Sequence, residues 1–404
     1  MPLDGRELVL GVTGSIAAYK AVVLLRELTR QGARVTVCLT EHARRFVGDL
    51  TFRTLSGRPV LTDLFDPRSD EAVEHVALAE RAAAVVVAPA TANVLAKAAH
   101  GIADDFLTTV LLAARGPVLM APAMDGGMWE HPAVMANVAV LRQRGVTVME
   151  PEAGPLASGL SGRGRLPEPE TIVEALVALL SPRDLAGERV LVTAGPTREA
   201  IDPVRYISNR SSGKMGFQLA AAALRRGAAV TLVSGPTALR PPSGAVFVPI
   251  ETAEEMREAV LQHAAAATIV IKAAAVGDYR VKRPAATKIK GKQDLTLDLT
   301  PNPDILAEVA ARRSGATFIV GFAAETHDVA AHARGKLESK GVDLLVANDV
   351  SRAGIGFDAD DNEVLLIDRW GGSRALPKMS KAAVADEILS AVLALRARAV
   401  PARR

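Results

Sequence analysis

"ELVLGVTGSIAAYKAVVLLRELTRQGARVTVCLT", residues 7–40, reads as strand, glycine turn, helix, glycine stop and strand. The same order returns over residues 188–235, where "ERVLVTAGPTREAI" leads on to "SSGKMGFQLAAAALRRGAAVTLVSG". In each copy the first apolar strand lacks alternation, and the helix stops at "RQGA" or "RRGA" before a second apolar strand. Strands apolar on both faces belong in a parallel sheet covered on both sides by crossover helices. The expected fold class is therefore α/β: two doubly wound, mostly parallel-sheet, Rossmann-like domains in tandem. Further apolar runs extend both sheets, "AAVVVAP" and "GPVLMAP" in the first, "ATIVIKAAA", "ATFIVGFA" and "VDLLVAND" in the second. Proline, glycine and charge in "SPRDLAG" (181–187), after the helical "PETIVEALVALL", mark the joint. Domains of residues 1–180 and 187–404 are expected.

A chain of 404 residues exceeds one ordinary core. A hydrophobic fraction of 49% with only 3% aromatics describes helices and sheets packed with Ala, Val and Leu. The net charge of +3 is small for this length, so the pI near 9.0 speaks for anionic ligands only weakly and not for a nucleic-acid partner. Cys38, the single cysteine, lies inside "RVTVCLT" and reads as a core thiol; no disulfide can form within the chain. "MPLDGRELVLGVTG" lacks the features of a secretory signal, and no run approaches the ~20 apolar residues of a membrane span. A cytoplasmic protein without a membrane partner is expected.

Ligands of such sheets sit at the carboxyl ends of the strands. "GVTGSIAAYK" does not fit G-x-G-x-x-G, but Gly14 and Ser15 at a helix start suit one phosphate. Thr91 and Asn93 stand at a second helix start, and "APAMDGGMWEHP" follows a third strand. Together these loops fit a mononucleotide; singly, each is also ordinary turn chemistry. In the second half, "SNRSSGKMG" (208–216) departs twice from a Walker loop, with Ser208 for the first glycine and Met215 for Ser or Thr. What remains is a helix N-terminus with a lysine beside it, fit for a phosphate, or an N-cap whose serines satisfy orphan donors. Met215, Leu219 and Ala222 share one stripe, so the helix should run to about Arg226. "RVKRPAATKIKGK" (280–292) holds six Lys or Arg in thirteen positions. On its own it reads as a solvated loop, a lysine-protected edge strand or a nucleic-acid contact.

"GVTGSIAAYK", "EHVALAE", "APATANVLAK", "GIADDF" and "PAMDGGMW" resemble, in that order, the FMN-dependent phosphopantothenoylcysteine decarboxylases. "TAGPTREAIDPVRYISNRSSGKMG" resembles the signature of the phosphopantothenate–cysteine ligases, so nearly the whole chain is similar to the bacterial bifunctional coenzyme A biosynthesis proteins. The resemblance implies FMN among Gly14, Ser15, Thr40, Thr91 and Asn93, and a catalytic role for His75, which by itself would read as a structural histidine. Flavin would oxidise the substrate thiol to a thioaldehyde able to accept the electrons released with CO2, while histidine moves protons. Two residues depart from the family pattern. Asp125 replaces an asparagine that helps hold the substrate carboxylate, and a carboxylate there repels substrate unless protonated or turned away. Ser158 replaces a flap cysteine that protonates the reduced intermediate, and a hydroxyl is a far weaker acid than a thiol of pKa about 8.5.

For the second half the resemblance implies CTP-driven activation of 4'-phosphopantothenate as an acyl-cytidylate, then displacement of CMP by the amine of L-cysteine. Asn209 would contact the acyl group and Lys288 would close over the site. Ala273, Ala274, Asp278, Pro303, Asp304, Ile305, Leu306, Phe322, Lys336 and Lys340 match nucleotide-contacting positions. Mg2+ is expected with the triphosphate, with Asp278 as its protein ligand, although an isolated aspartate is otherwise a cap or turn residue. A homo-oligomer is implied, with "DPVRYISN" at a dimer contact. An active ligase whose flavoprotein half is inefficient, redirected or regulatory is the alternative.

Overall fold

The structure is a computed structural model and describes residues 3–64, 74–291, 294–313, 315, 317–325, 328–349 and 359–399. The chain divides into two units, Met1–Ser181 and Pro182–Arg404.

In the first unit β1 (Glu7–Val12), β2 (Arg34–Leu39), β3 (Val60–Leu61), β4 (Ala84–Ala90), β5 (Val118–Pro122) and β6 (Thr147–Val148) form one sheet in the order β3-β2-β1-β4-β5-β6. All neighbours are parallel, with Leu8 opposite both Val35 and Ala84. Leu8, Leu10 and Val12 face α1 (Ala18–Arg30), α2 (Asp49–Ser56) and α8 (Pro169–Leu180). Val9 and Cys38 face the opposite layer, built from α3 (Glu74–Arg81), α4 (Ala92–His100), α5 (Phe106–Ala113) and α7 (Pro132–Gln143). Each face of a strand thus feeds its own core, which is why the run 8–12 shows no polar alternation. Each fully buried Leu or Val contributes about 1.5–3 kcal/mol. A short helix, α6 (Gly126–Trp129), and a hairpin of β7 (Glu152–Pro155) and β8 (Ser161–Arg165) complete the unit.

The second unit repeats the plan and enlarges it. Its main sheet combines β9 (Arg189–Ala194), β12 (Ala229–Ser234), β13 (Val246–Pro249), β14 (Ile269–Lys272), β17 (Phe318–Glu325), β18 (Leu344–Asp349), β19 (Asp361–Asp368) and β20 (Ser373–Ser380). Their order is β13-β12-β9-β14-β17-β18-β19-β20; pairing is parallel as far as β18 and antiparallel beyond it. α9 (Lys214–Arg225) and α13 (Lys381–Ala399) cover one face, and α10 (Ala253–Ala264), α11 (Ile305–Arg312) and α12 (Val329–Lys340) the other. Two ribbons stand apart from the sheet: β10 (Arg198–Ala200) with β11 (Tyr206–Ser208), and β15 (Tyr279–Val281) with β16 (Leu299–Pro301).

The stretch 182–187 is folded onto the second unit. Leu185 is fully buried in its core, and Asp184 takes two hydrogen bonds from Arg226, at 2.8 and 2.7 Å, which hold its carboxyl below the usual range.

Candidate active sites

The first crevice lies at the carboxyl ends of β1, β4 and β5. Thr13 ties two of these ends together: its hydroxyl donates to the Pro89 carbonyl (2.6 Å) and accepts from the Thr91 backbone N–H (3.1 Å). Thr91 is the N-cap of α4 and no side chain caps that helix, so its first turn offers N–H groups and the positive end of its dipole to the crevice. Gly14 and Ser15 belong to the loop ahead of α1, whose N-cap is Ala17. A Cβ on Gly14 would come within 2.4 Å of His42 Cβ, so this close approach requires glycine. One cavity of about 660 Å³ holds Gly14, Ser15, Asp125 and Ser158; another of about 490 Å³ holds Thr40 and Asn93, and both share Gly14, Thr91, Ala92 and Met128. Ile16, Met124, Met128 and Leu156 supply apolar walls. Hydroxyl donors, an open helix N-terminus and apolar walls fit a flavin ring with a phosphate tail.

Asp125 is the N-cap of α6: one carboxylate oxygen accepts from Gly127 N–H (3.1 Å) and the other from the Ser158 hydroxyl (2.7 Å). Chiefly the Ser158 hydroxyl, then the Gly127 N–H, holds the Asp125 carboxyl below its ordinary value. It is an anion at neutral pH, turned toward the flap. Ser158 sits in the turn between β7 and β8 with its proton committed to Asp125. His75, in the first turn of α3, stands edge-on to Phe106 at 6.3 Å between centroids and is not among the residues lining either cavity.

The second crevice is a cavity of about 640 Å³ at the carboxyl ends of β14, β17 and β18. Asn209, Ala273, Ala274, Asp278, Pro303, Asp304, Ile305, Leu306, Phe322, Lys336 and Lys340 all line it. Asn209 is held at both ends of its amide, donating to the Ala275 carbonyl and accepting from Ser211 N–H (3.0 Å). Asp304 caps α11 through Ala307 N–H (3.1 Å) and pairs with Lys340. The N-cap of α9 is Gly213, at φ 78°, and no side chain caps the helix. The serine-capped alternative is thus not what forms, because the left-handed turn needs glycine. The helix ends at Arg225 with Arg226 as its C-cap, and Leu219 and Ala222 are buried.

Lys288 lies outside this cavity, exposed on the loop after β15; Lys292 of the same basic run lies outside the described residues. That loop is anchored beside Lys288: Asp202 accepts from Ile289 N–H (3.1 Å), and Arg205 donates to the Ile289 carbonyl (2.9 Å). Arg205 and three backbone N–H groups hold Asp202 far below the usual carboxylate range. Lys214, the lysine beside the α9 start, lines the cavity as well; sequence reasoning missed Lys272 and Lys381, which also line it. Lys272 was hidden at the end of an apolar run, and Lys381 reads as an ordinary first residue of a helix. Among the described residues no group of three or more His, Cys, Asp or Glu could hold a metal, and no helix is long and apolar enough to cross a membrane.

Residues 2–181 match the family model described as Flavoprotein, and residues 185–395 match the DNA/pantothenate metabolism flavoprotein C-terminal domain. The coenzyme A biosynthesis bifunctional protein CoaBC of Bacillus subtilis (strain 168) is 49% identical over 399 residues, covering 97% of this chain and 98% of that one. The CoaBC of Mycobacterium bovis (strain ATCC BAA-935 / AF2122/97) is 48% identical over 405 residues, covering 96% of each. Among solved structures, the C-terminal domain of a coenzyme A biosynthesis bifunctional protein CoaBC aligns at a TM-score of 0.46 with 41% identity, covering 53% of this chain and 99% of that one. The chain belongs to the family of coenzyme A biosynthesis bifunctional proteins, a flavoprotein domain followed by a DNA/pantothenate metabolism flavoprotein C-terminal domain.

Proposed function

We propose that the chain joins L-cysteine to 4'-phosphopantothenate at the second crevice, using CTP, and decarboxylates the product at the first to give 4'-phosphopantetheine. The observation that carries this reading is the contrast between the linings. The second crevice sets five lysines against two aspartates, a balance suited to a triphosphate, whereas the first has the apolar walls a flat ring needs.

In the ligase step the substrate carboxylate attacks the α-phosphorus of CTP and pyrophosphate leaves; cysteine nitrogen then attacks the activated carbonyl and CMP leaves. The open N-terminus of α9, with Lys214, holds phosphate oxygens. Asn209, fixed at both ends of its amide, presents a rigid polar edge to the acyl group. Lys336 and Lys340 contact the nucleotide, and Ala273, Ala274, Phe322, Ile305 and Leu306 wall it in. Lys288 reaches inward from its tethered loop and offsets the charge that builds as the anionic nucleophile meets the triphosphate. Mg2+ enters with CTP as its counter-ion; Asp304 is engaged by Lys340, which leaves Asp278 as the lining carboxylate for it.

In the decarboxylase step FMN supplies a two-electron acceptor for the substrate thiol. Ser15, Thr40, Asn93 and the first turn of α4 hold its phosphate and ribityl chain. His75 moves protons at the carbon that loses CO2. Asp125 holds the flap through Ser158 and, as a carboxylate, does not take over the asparagine's contact with the substrate carboxylate. Exposed Val204, Tyr206 and Tyr279 on the two ribbons support a homo-oligomer. A single, buried cysteine suits the cytoplasm.

Two measurements test the reading together. Chromatography of the released chromophore should identify FMN, and pyrophosphate should appear only when CTP and 4'-phosphopantothenate are both present. A colourless protein, or pyrophosphate release indifferent to 4'-phosphopantothenate, contradicts it.

A further inference from the structure

Lys272 ends β14, a central strand flanked by β9 and β17, and it faces the ligase cavity. Three residues on, the Ala275 carbonyl accepts the Asn209 amide, and the next residue but one, Ala274, donates its N–H to Thr193 (3.1 Å). The lysine therefore sits on the rigid floor of the crevice, beside the segment proposed to hold the acyl group. Lys340 is paired with Asp304, and Lys214 with the exposed Asp360. The Lys272 ammonium makes no hydrogen bond or salt bridge among the described residues.

An amine arrives at an activated carbonyl mainly as an ammonium, since an α-amino group titrates near 7.7–8.0. Nitrogen cannot form the new bond until a proton has left. We propose that Lys272 accepts the proton that the cysteine nitrogen sheds as it attacks the acyl-cytidylate. This rests on the ligase reading above. The C–N bond forms, the C–O bond to the cytidylate phosphate breaks and CMP leaves with the electron pair; of the two protons an ammonium gives up on becoming an amide, one passes to Lys272 Nζ and the other leaves with the CMP phosphate or to water. The charged groups facing Nζ are Asp304, Lys340 and Asp278. Burial, the largest influence, with Lys340 in support and the two aspartates opposed, brings its pKa down to about 8. That value matches the nucleophile's own and lies near working pH, where a general base is most effective.

The test uses single turnovers of the full chain, preloaded with 4'-phosphopantothenate and Mg·CTP and then mixed with cysteine or with hydroxylamine, an amine already unprotonated at neutral pH. Lys272→Met and Lys272→Arg should each slow cysteine transfer by about 10²-fold, the lower end of the range for a lost base. Pyrophosphate release and hydroxylamine trapping in the same variants should fall far less, which also reports that the site is assembled. Restoration of cysteine transfer by arginine, a fixed cation that cannot act as a base, overturns the proposal, as do equal losses with the two nucleophiles. A wild type that releases no pyrophosphate overturns the ligase reading itself, and the proposal with it.

Discussion

In the first crevice the lining cations are neutralised locally, Lys20 and Arg165 on Glu168 and Lys97 on Asp104, while Asp125 is tied to Ser158. In the second, Lys214 pairs with a highly exposed Asp360 (90% accessible), and the Lys272 side chain faces the cavity with no hydrogen bond or salt bridge among the described residues. An exposed pair is weak and easily exchanged, so Lys214 can turn to an incoming phosphate at little loss. Two sheets of one plan thus present different electrostatic surroundings at their strand ends. In the proposed reading, one holds a ring in a nearly neutral groove and handles protons, and the other keeps cations available for a polyanion.

His75→Asn should have the largest effect, stopping CO2 release by about 10³-fold or more while the flavin absorbance stays. Loss of colour in the variant would mark His75 as a structural partner of Phe106 and erase its side of the contrast. Lys288→Gln should lower pyrophosphate release by about 10²-fold and leave decarboxylation of supplied phosphopantothenoylcysteine intact. If CTP turnover survives unchanged, the basic loop is a solvated surface and the second crevice works with its lining lysines alone.

Asp202→Asn probes the anchor of that loop through pH. The native carboxyl titrates below its unfolded value, so its stabilisation is present above about pH 4 and is lost as the pH falls through the lower native value. The variant should be less stable at neutral pH, and its denaturation midpoint should fall less steeply on acidification. Parallel curves for variant and wild type would show that Asp202 does not hold the loop. Ser158→Cys should give the smallest change. With its hydroxyl proton on Asp125, Ser158 is a poor donor, so the enethiol product of decarboxylation should accumulate transiently. Cysteine should shorten that phase by roughly threefold to tenfold. Indifference to the change would assign the last proton to another group.

The paired βαβ openings were legible because burial on both faces leaves an unmistakable apolar run, and glycine marks each helix stop. Strands β19 and β20 were not: "DNEVLLID" opens on three consecutive polar residues and its burial alternates only in part, and it joins the sheet antiparallel, one strand in from the far edge. Motif order brought the nucleotide-site residues to notice, yet it could not show that Lys288 stands outside the cavity or that Asp125 and Ser158 touch. Such pairings join residues 33 positions apart and depend on where a flap folds, which no local period records. Lys272 escaped for the opposite reason: its strand neighbours are wholly apolar, and a lysine ending such a run reads as a boundary until the cavity above it is seen.

The account's central claim, that one chain runs two separate reactions in series, is tested most directly by stoichiometry. Wild-type protein given 4'-phosphopantothenate, cysteine, CTP and magnesium should release pyrophosphate, CMP and CO2 in equal amounts. Pyrophosphate and CMP without CO2, and with phosphopantothenoylcysteine accumulating, would contradict it.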